Sequence, residues 1–172
     1  MEEMVALVRY IYEVLNRRYF NRALSIPPIK LVTGKHYVAC IHSVHMPDAE
    51  WLGERVTDMS VSVNQIGTSE GFLETLTGAI LHEMIHQYCI VNMIPHYDKT
   101  TGEHLPGFIA EADRRGLIYD DWMSTNILVE DLDEIFGCYD DAPTEGLLLF
   151  RLMSKRRPET IHPWEASFLT GI

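Results

Sequence analysis

From Thr75 to Tyr97 the chain reads TLTGAILHEMIHQYCIVNMIPHY, and the one formal charge in that stretch is Glu83. As a helix it would be apolar around most of its circumference, the pattern of a helix buried on several sides. Such a helix has to lie at the centre of the fold, with the other elements packed around it. A lone carboxylate there costs on the order of several kcal/mol unless something compensates it. Glu83 stands inside His82-Glu83-Met84-Ile85-His86, an H-E-x-x-H pattern. Residues i and i+4 share a helix face one turn apart. The two imidazoles can therefore bind one metal ion, with the glutamate beside them as a base. Water held by such a metal would offset the cost of burying the carboxylate.

Zinc in a hydrolytic site takes three protein ligands and keeps a fourth position for water. With His82 and His86 as two, the sequence offers His96, Glu103, His104 and Glu111 for the third. The longer H-E-x-x-H-x-x-G-x-x-H pattern is excluded, because Cys89 and Asn92 occupy its last two fixed positions. His96 and Tyr97, in the loop after the helix, are candidates for an extra donor to a developing oxyanion, although an ordinary loop role suits both. Cys89 reads as a small core thiol rather than a ligand. His36, His42 and His45 do not converge on one strand face and are not read as a second metal site.

Elsewhere the periodicity predicts a helix over residues 3–20, with Met4, Leu7, Val8, Ile11, Val14 and Leu15 on one face. Pro27 and Pro28 break it. Short strands are expected at Ile29–Val32 and Tyr37–His45. Residues 46–58, with Pro47, Gly53 and five charges, read as a loop. Met59–Asn64 alternates like a half-buried strand, and residues 59–66 are the candidate edge on which an extended peptide could pair. The central helix is expected over 70–93, ended by Pro95. Pro106, a favoured first-turn residue, opens a short helix that ends before Gly116. Further helices are expected at Asn126–Phe136 and Pro143–Lys155, with a last turn or two in 163–169.

At 172 residues, one domain with a substantial core is expected. Net charge is −11, which argues against a surface built to grip nucleic-acid phosphates. Leu117–Glu145 holds nine acidic residues and no Lys or Arg. Three scattered cysteines, Cys40, Cys89 and Cys138, suggest reduced thiols in a cytoplasmic setting. The two early glutamates do not suit a signal peptide, and no apolar run is long enough to span a bilayer.

The segment His104-Leu105-Pro106-Gly107-Phe108 resembles the His-Gly-Pro-x-Phe element that follows H-E-x-x-H in SprT-like zinc metallopeptidases, the group that includes Spartan. Leu15 to Leu24, LNRRYFNRAL, is similar to that family's opening helix, and Glu74-Thr75-Leu76 and Leu81–His86 to its lead-in and metal motif. The resemblance spans about residues 7–115. Leu105 departs from the usual glycine, and no four-cysteine zinc ribbon follows. The resemblance implies an α+β, zincin-like fold with a small mixed or antiparallel sheet on a metal-bearing helix. It also implies Zn²⁺ held by His82, His86 and His104, with Glu83 as general base for hydrolysis of protein or peptide substrates. Members of the family can act on DNA-bound proteins.

The expected organisation is a core over residues 1–116 and a mainly helical extension over 117–172, acidic and then apolar, packed on it. A non-catalytic module is the alternative, its acidic segment binding a basic partner or mimicking nucleic acid. A third arrangement has the extension lying across the cleft as a lid, which deletion of 117–172 would test.

Overall fold

The computed structural model describes residues 1–33, 35–46, 53–63, 72–121 and 125–129, together with Leu132 and Ile135. The first helix, α1 (Glu2–Tyr19), carries glutamates in its first turn and Arg17 and Arg18 in its last, each sign at the favourable end of the helix dipole. Its apolar stripe is buried, while Arg9, Glu13, Arg17 and Arg18 are exposed. Asn16 closes the turn that follows. Its side chain donates to the Leu24 carbonyl at 2.7 Å and accepts from the Leu24 N–H at 3.2 Å. Asn21 and Arg22 take positive φ within that turn.

Three strands make a mixed sheet: β1 (Ile29–Val32), β2 (Ala39–His45) and β3 (Glu54–Ser62). Their order is β1-β3-β2, with β1 parallel and β2 antiparallel to β3. Two expectations change here. Residues 54–58 are not loop but the first half of β3. The hairpin supplies ladder partners for the charged run, setting Glu54 against His45 and Arg55 against Val44, and that pairing overrides local composition. Residues 59–62 are also not an edge, because they lie between β1 and β2. Among the described residues the outer strands are β1 and β2, and it is β2 whose open side meets α2; residues 64–66 lie outside the described residues. A bulge between His42 and Ser43 shifts the β2–β3 register.

The central helix, α2 (Phe72–Val91), packs against β2, β3, α1 and the elements that follow it. It stops two residues short of the expected Met93, which takes φ +55, while Ile94 N–H reaches back to the Cys89 carbonyl. The buried link to α1 is polar: Tyr12 Oη donates to Gln87 Oε1 at 2.8 Å, and Gln87 Nε2 donates to the Ser25 carbonyl at 2.8 Å. The short helix α3 (Pro106–Arg114) opens on proline as expected. Glu111, on α3, is buried and pairs with Arg115 at 2.7 Å and with the exposed Arg114 at 2.8 Å. The Arg115 guanidinium also lies 4.5 Å from the centre of the Phe20 ring and 4.1 Å from that of Tyr88. It thereby joins the end of α1, α2 and α3.

A two-stranded hairpin follows, β4 (Ile118–Tyr119) with β5 (Ile127–Leu128). The helix expected from Asn126 therefore does not start there. Leu132 and Ile135 are helical, and the expected helices over 143–155 and 163–169 lie outside the described residues. β5 reaches α2 through Gly78, where a Cβ would stand 2.3 Å from the Ile127 carbonyl oxygen. No side chain fits between helix and strand at that point.

Two substitutions check these contacts. Glu111→Ala strands the buried Arg115 charge and should cost about 3–5 kcal/mol in urea unfolding. Arg114→Ala, at an exposed partner, should cost under about 1 kcal/mol. Gly78→Ala stabilises an ordinary helix interior by roughly 0.5–1 kcal/mol. Here it should lower the melting temperature, because it forces β5 off the helix.

Candidate metal centre

His82 and His86 project from one face of α2, as their spacing requires. The third histidine arrives by a return loop. Asp98 Oδ1 accepts the backbone N–H groups of Thr100 and Thr101, Gly102 turns the chain at φ +80, and Asp98 N–H bonds to the Glu103 carbonyl. Tyr97 and His104 then pair across the loop as an isolated antiparallel bridge. Behind it, Gly107 lets α3 close on Pro95, since a Cβ there would lie 2.1 Å from the Pro95 carbonyl oxygen.

The outcome is a triangle of nitrogens. His82 Nε2 lies 3.0 Å from His86 Nε2 and 3.2 Å from His104 Nε2, and the His86–His104 separation is 3.1 Å. Nitrogens ~2.0–2.1 Å from one tetrahedral centre lie about 3.3 Å apart, close to these spacings. Proton bookkeeping agrees. His82 Nδ1 lies 2.9 Å from the Thr125 carbonyl, which can only accept, so Nδ1 carries the hydrogen. The neutral ring then aims a lone pair from Nε2 at two other ring nitrogens. A cation shared by all three satisfies that arrangement, and His82, His86 and His104 lie close enough to hold one metal ion. Of the four residues open for the third position, His104 joins the cluster. His96, Glu103 and Glu111 do not, and Glu111 is committed to its arginines.

Phe108, fully buried, lies 4.5–4.9 Å from all three imidazoles, centre to centre, and makes an apolar floor beneath them. Burial and the neighbouring His104 push the His82 pKa down to about 4, opposed by the Thr125 carbonyl and Asp120. Burial and three surrounding imidazoles hold His86 well below its ordinary value. Both rings therefore stay neutral at neutral pH, the form that ligates metals.

Glu83 points to the sheet. Its Oε2 accepts the Ile41 N–H at 2.7 Å, while burial pushes its pKa up to about 8 against that hydrogen bond. Ile41 sits on β2, and its N–H is directed away from β3. The edge nearest the cluster is thus residues 39–45, not 59–66. Between this edge and α2 runs a cleft of about 1380 Å³, which also reaches β5. That exceeds the ~300–1,000 Å³ of common small-ligand pockets. At one end Lys99 pairs with Glu54, which also accepts from Ser43 Oγ at 2.7 Å.

Of the discounted or secondary residues, Cys89 is a buried free thiol pushed up to about 12 mainly by burial. His42 turns to Ser60 Oγ at 2.8 Å. Tyr97 stacks edge-on against His86 and His104. His96 lies beside His86 with Nδ1 held by the Ile94 carbonyl at 2.9 Å. Thr125 and the Ile41 N–H were not legible beforehand, because both contribute backbone atoms that no side-chain pattern marks. Phe108 closes the His104–Phe108 segment, and nothing in its spacing marked it as the floor of the site.

Fold and site together define an α+β protein with a three-histidine candidate metal centre and an adjacent buried glutamate. No family model, curated protein or solved structure matches the chain.

Metal uptake discriminates among the histidines. His82→Ala, His86→Ala and His104→Ala should each abolish stoichiometric zinc binding in chelator competition, while His96→Ala retains it. Zinc at about 100 times its dissociation constant should stabilise the native chain by about 2.7 kcal/mol, read as a raised melting temperature that the three ligand variants lack.

Proposed function

We propose that this chain is a zinc-dependent endopeptidase of zincin-like, SprT-like design. The observation that carries the reading is the convergence of three imidazole nitrogens next to a glutamate tethered to the free edge of a strand. Three neutral nitrogen donors suit zinc and leave its charge uncompensated. A divalent cation held by His82, His86 and His104 supplies Lewis acidity, polarising a carbonyl and acidifying water.

The chain's own groups do the rest. A cation held by the three histidines would favour the ionised form of Glu83; Ile41 N–H fixes one oxygen of that carboxylate and leaves the other to receive a proton from the attacking water. The same carboxyl then delivers that proton to the leaving amine. Thr125 holds His82 in the tautomer that presents Nε2 to the centre. Phe108 keeps the inner side of the imidazoles dry. The outward edge of β2 offers main-chain groups to an extended peptide, which favours a protein or peptide substrate over a compact small molecule. Length and openness of the cleft suit cleavage within a chain. A non-catalytic module has no comparable use for a buried carboxylate anchored beside the ligands.

Zinc-loaded wild type and Glu83→Gln, incubated with an unfolded protein with and without DNA, test the reading by gel and mass spectrometry. Wild type should generate fragments. The variant should bind zinc equally well yet turn over roughly 10²–10⁴-fold more slowly. Equal cleavage rates for the two proteins, or none by either, would contradict it.

A further inference from the structure

Among the described residues, the segment after α3 meets the histidines through the carbonyl of Thr125, a residue in an unusual conformation. Thr125 is fully buried and has φ +43, a value at which a β-branched residue is a true outlier. Its hydroxyl has no hydrogen-bond partner among the described residues, so the side chain does not account for the conformation. The backbone does. Thr125 N–H bonds to the Asp121 carbonyl at 2.7 Å, while its own carbonyl lies 2.9 Å from His82 Nδ1.

Asp120 and Asn126 are held just as firmly. Asp120 Oδ1 accepts the N–H of Asp121 at 2.7 Å and of Asn126 at 2.9 Å, and its Oδ2 accepts Asn126 Nδ2 at 2.8 Å. Asp120 N–H returns to the Asn126 carbonyl at 3.2 Å. One residue further on, Ile127 is pressed against Gly78, one turn before His82 on the same helix. Strained backbone persists where its surroundings over-determine it, and here Asp120, Asp121, Asn126 and Ile127 supply those constraints.

We infer that Asp120 and Thr125 form a positioning clasp for the metal centre. Asp120 closes the turn, the closed turn holds Thr125 in the left-handed region, and the Thr125 carbonyl fixes the tautomer and direction of His82. The inference rests on the metal reading of the three histidines and extends it: the site is completed by a part of the chain beyond the histidine-bearing elements. Zinc affinity is therefore set partly by Asp120 and Thr125, neither of which is among the candidate ligands. Deleting 117–172 removes this carbonyl, so that deletion disables the site rather than simply uncovering it.

Zinc affinity measured by chelator competition, with melting temperature recorded in the metal-free state, tests the clasp. Asp120→Ala should weaken zinc binding roughly 10–100-fold, with helix content unchanged by circular dichroism. Asp120→Asn keeps an acceptor for the two backbone N–H groups and should recover most of the affinity. Tyr119→Phe, in the same hairpin, loses a 2.9 Å bond to Asp113 of α3 without touching the turn, and should bind zinc as wild type does. Two truncations report the backbone conformation directly. With φ positive, Thr125→Gly should melt above Thr125→Ala, the reverse of the order at an ordinary position. Unchanged zinc affinity in Asp120→Ala, or Thr125→Ala melting above Thr125→Gly, overturns the clasp while leaving the metal reading intact. A wild-type chain that takes up no zinc overturns the metal reading, and the clasp with it.

Discussion

The hydrogen bond from Ile41 N–H to Glu83 connects the two halves of this molecule. It offsets part of the cost of a carboxylate in an otherwise uncharged helix, and it fixes where the open edge of the sheet lies relative to the imidazoles. Among the described residues β2 pairs with β3 on one side, and the main-chain groups on its other side face the cleft. The Ile41 amide is directed there and meets α2. The helix can then carry a carboxyl group at its centre without breaking the apolar packing around it.

Everything else near the centre serves to bring three imidazoles together at a spacing that helix geometry alone cannot supply. Two come from one face of α2. The third needs the chain to leave the helix, turn at Gly102 and return, with α3 closing behind through Gly107. Close backbone approach recurs as the means: Gly107 at Pro95, and Gly78 at Ile127. Each brings a neighbouring element to within a distance that any side chain would prevent. Polar links hold these approaches in place, among them Arg115 between Phe20 and Tyr88, and the Tyr12–Gln87 bond between α1 and α2.

The departures from sequence expectation share a cause. Glu54 to Asp58 looked like loop because charge and a nearby glycine dominate locally, whereas their strand state comes from pairing with β2. Residues 59–62 alternated correctly for a strand, but alternation reveals which face is buried and not which strand is outermost. The order β1-β3-β2 needs the parallel partner β1, which lies far back in the chain. Asn126 and Ile127, expected to open a helix that Gly137 would stop, instead belong to a hairpin held by Asp120 and by contact with α2.

What the sequence determined by itself was the chemistry that helix periodicity can position. His82, Glu83 and His86 were legible because a 3.6-residue repeat places them together whatever surrounds them, and the uncharged stretch required their helix to be buried. The limits of α1, β1 and α3 followed from apolar spacing and proline. The family resemblance also points to His104, and tertiary structure brings that residue to the other two while Glu111 is spent on arginines and His96 lies to one side of the triangle. Tertiary structure alone decided the rest. It made β2 the strand whose open side meets α2, and it brought the Thr125 carbonyl to His82. These are long-range contacts made by loops and backbone atoms, and neither leaves a period in the sequence.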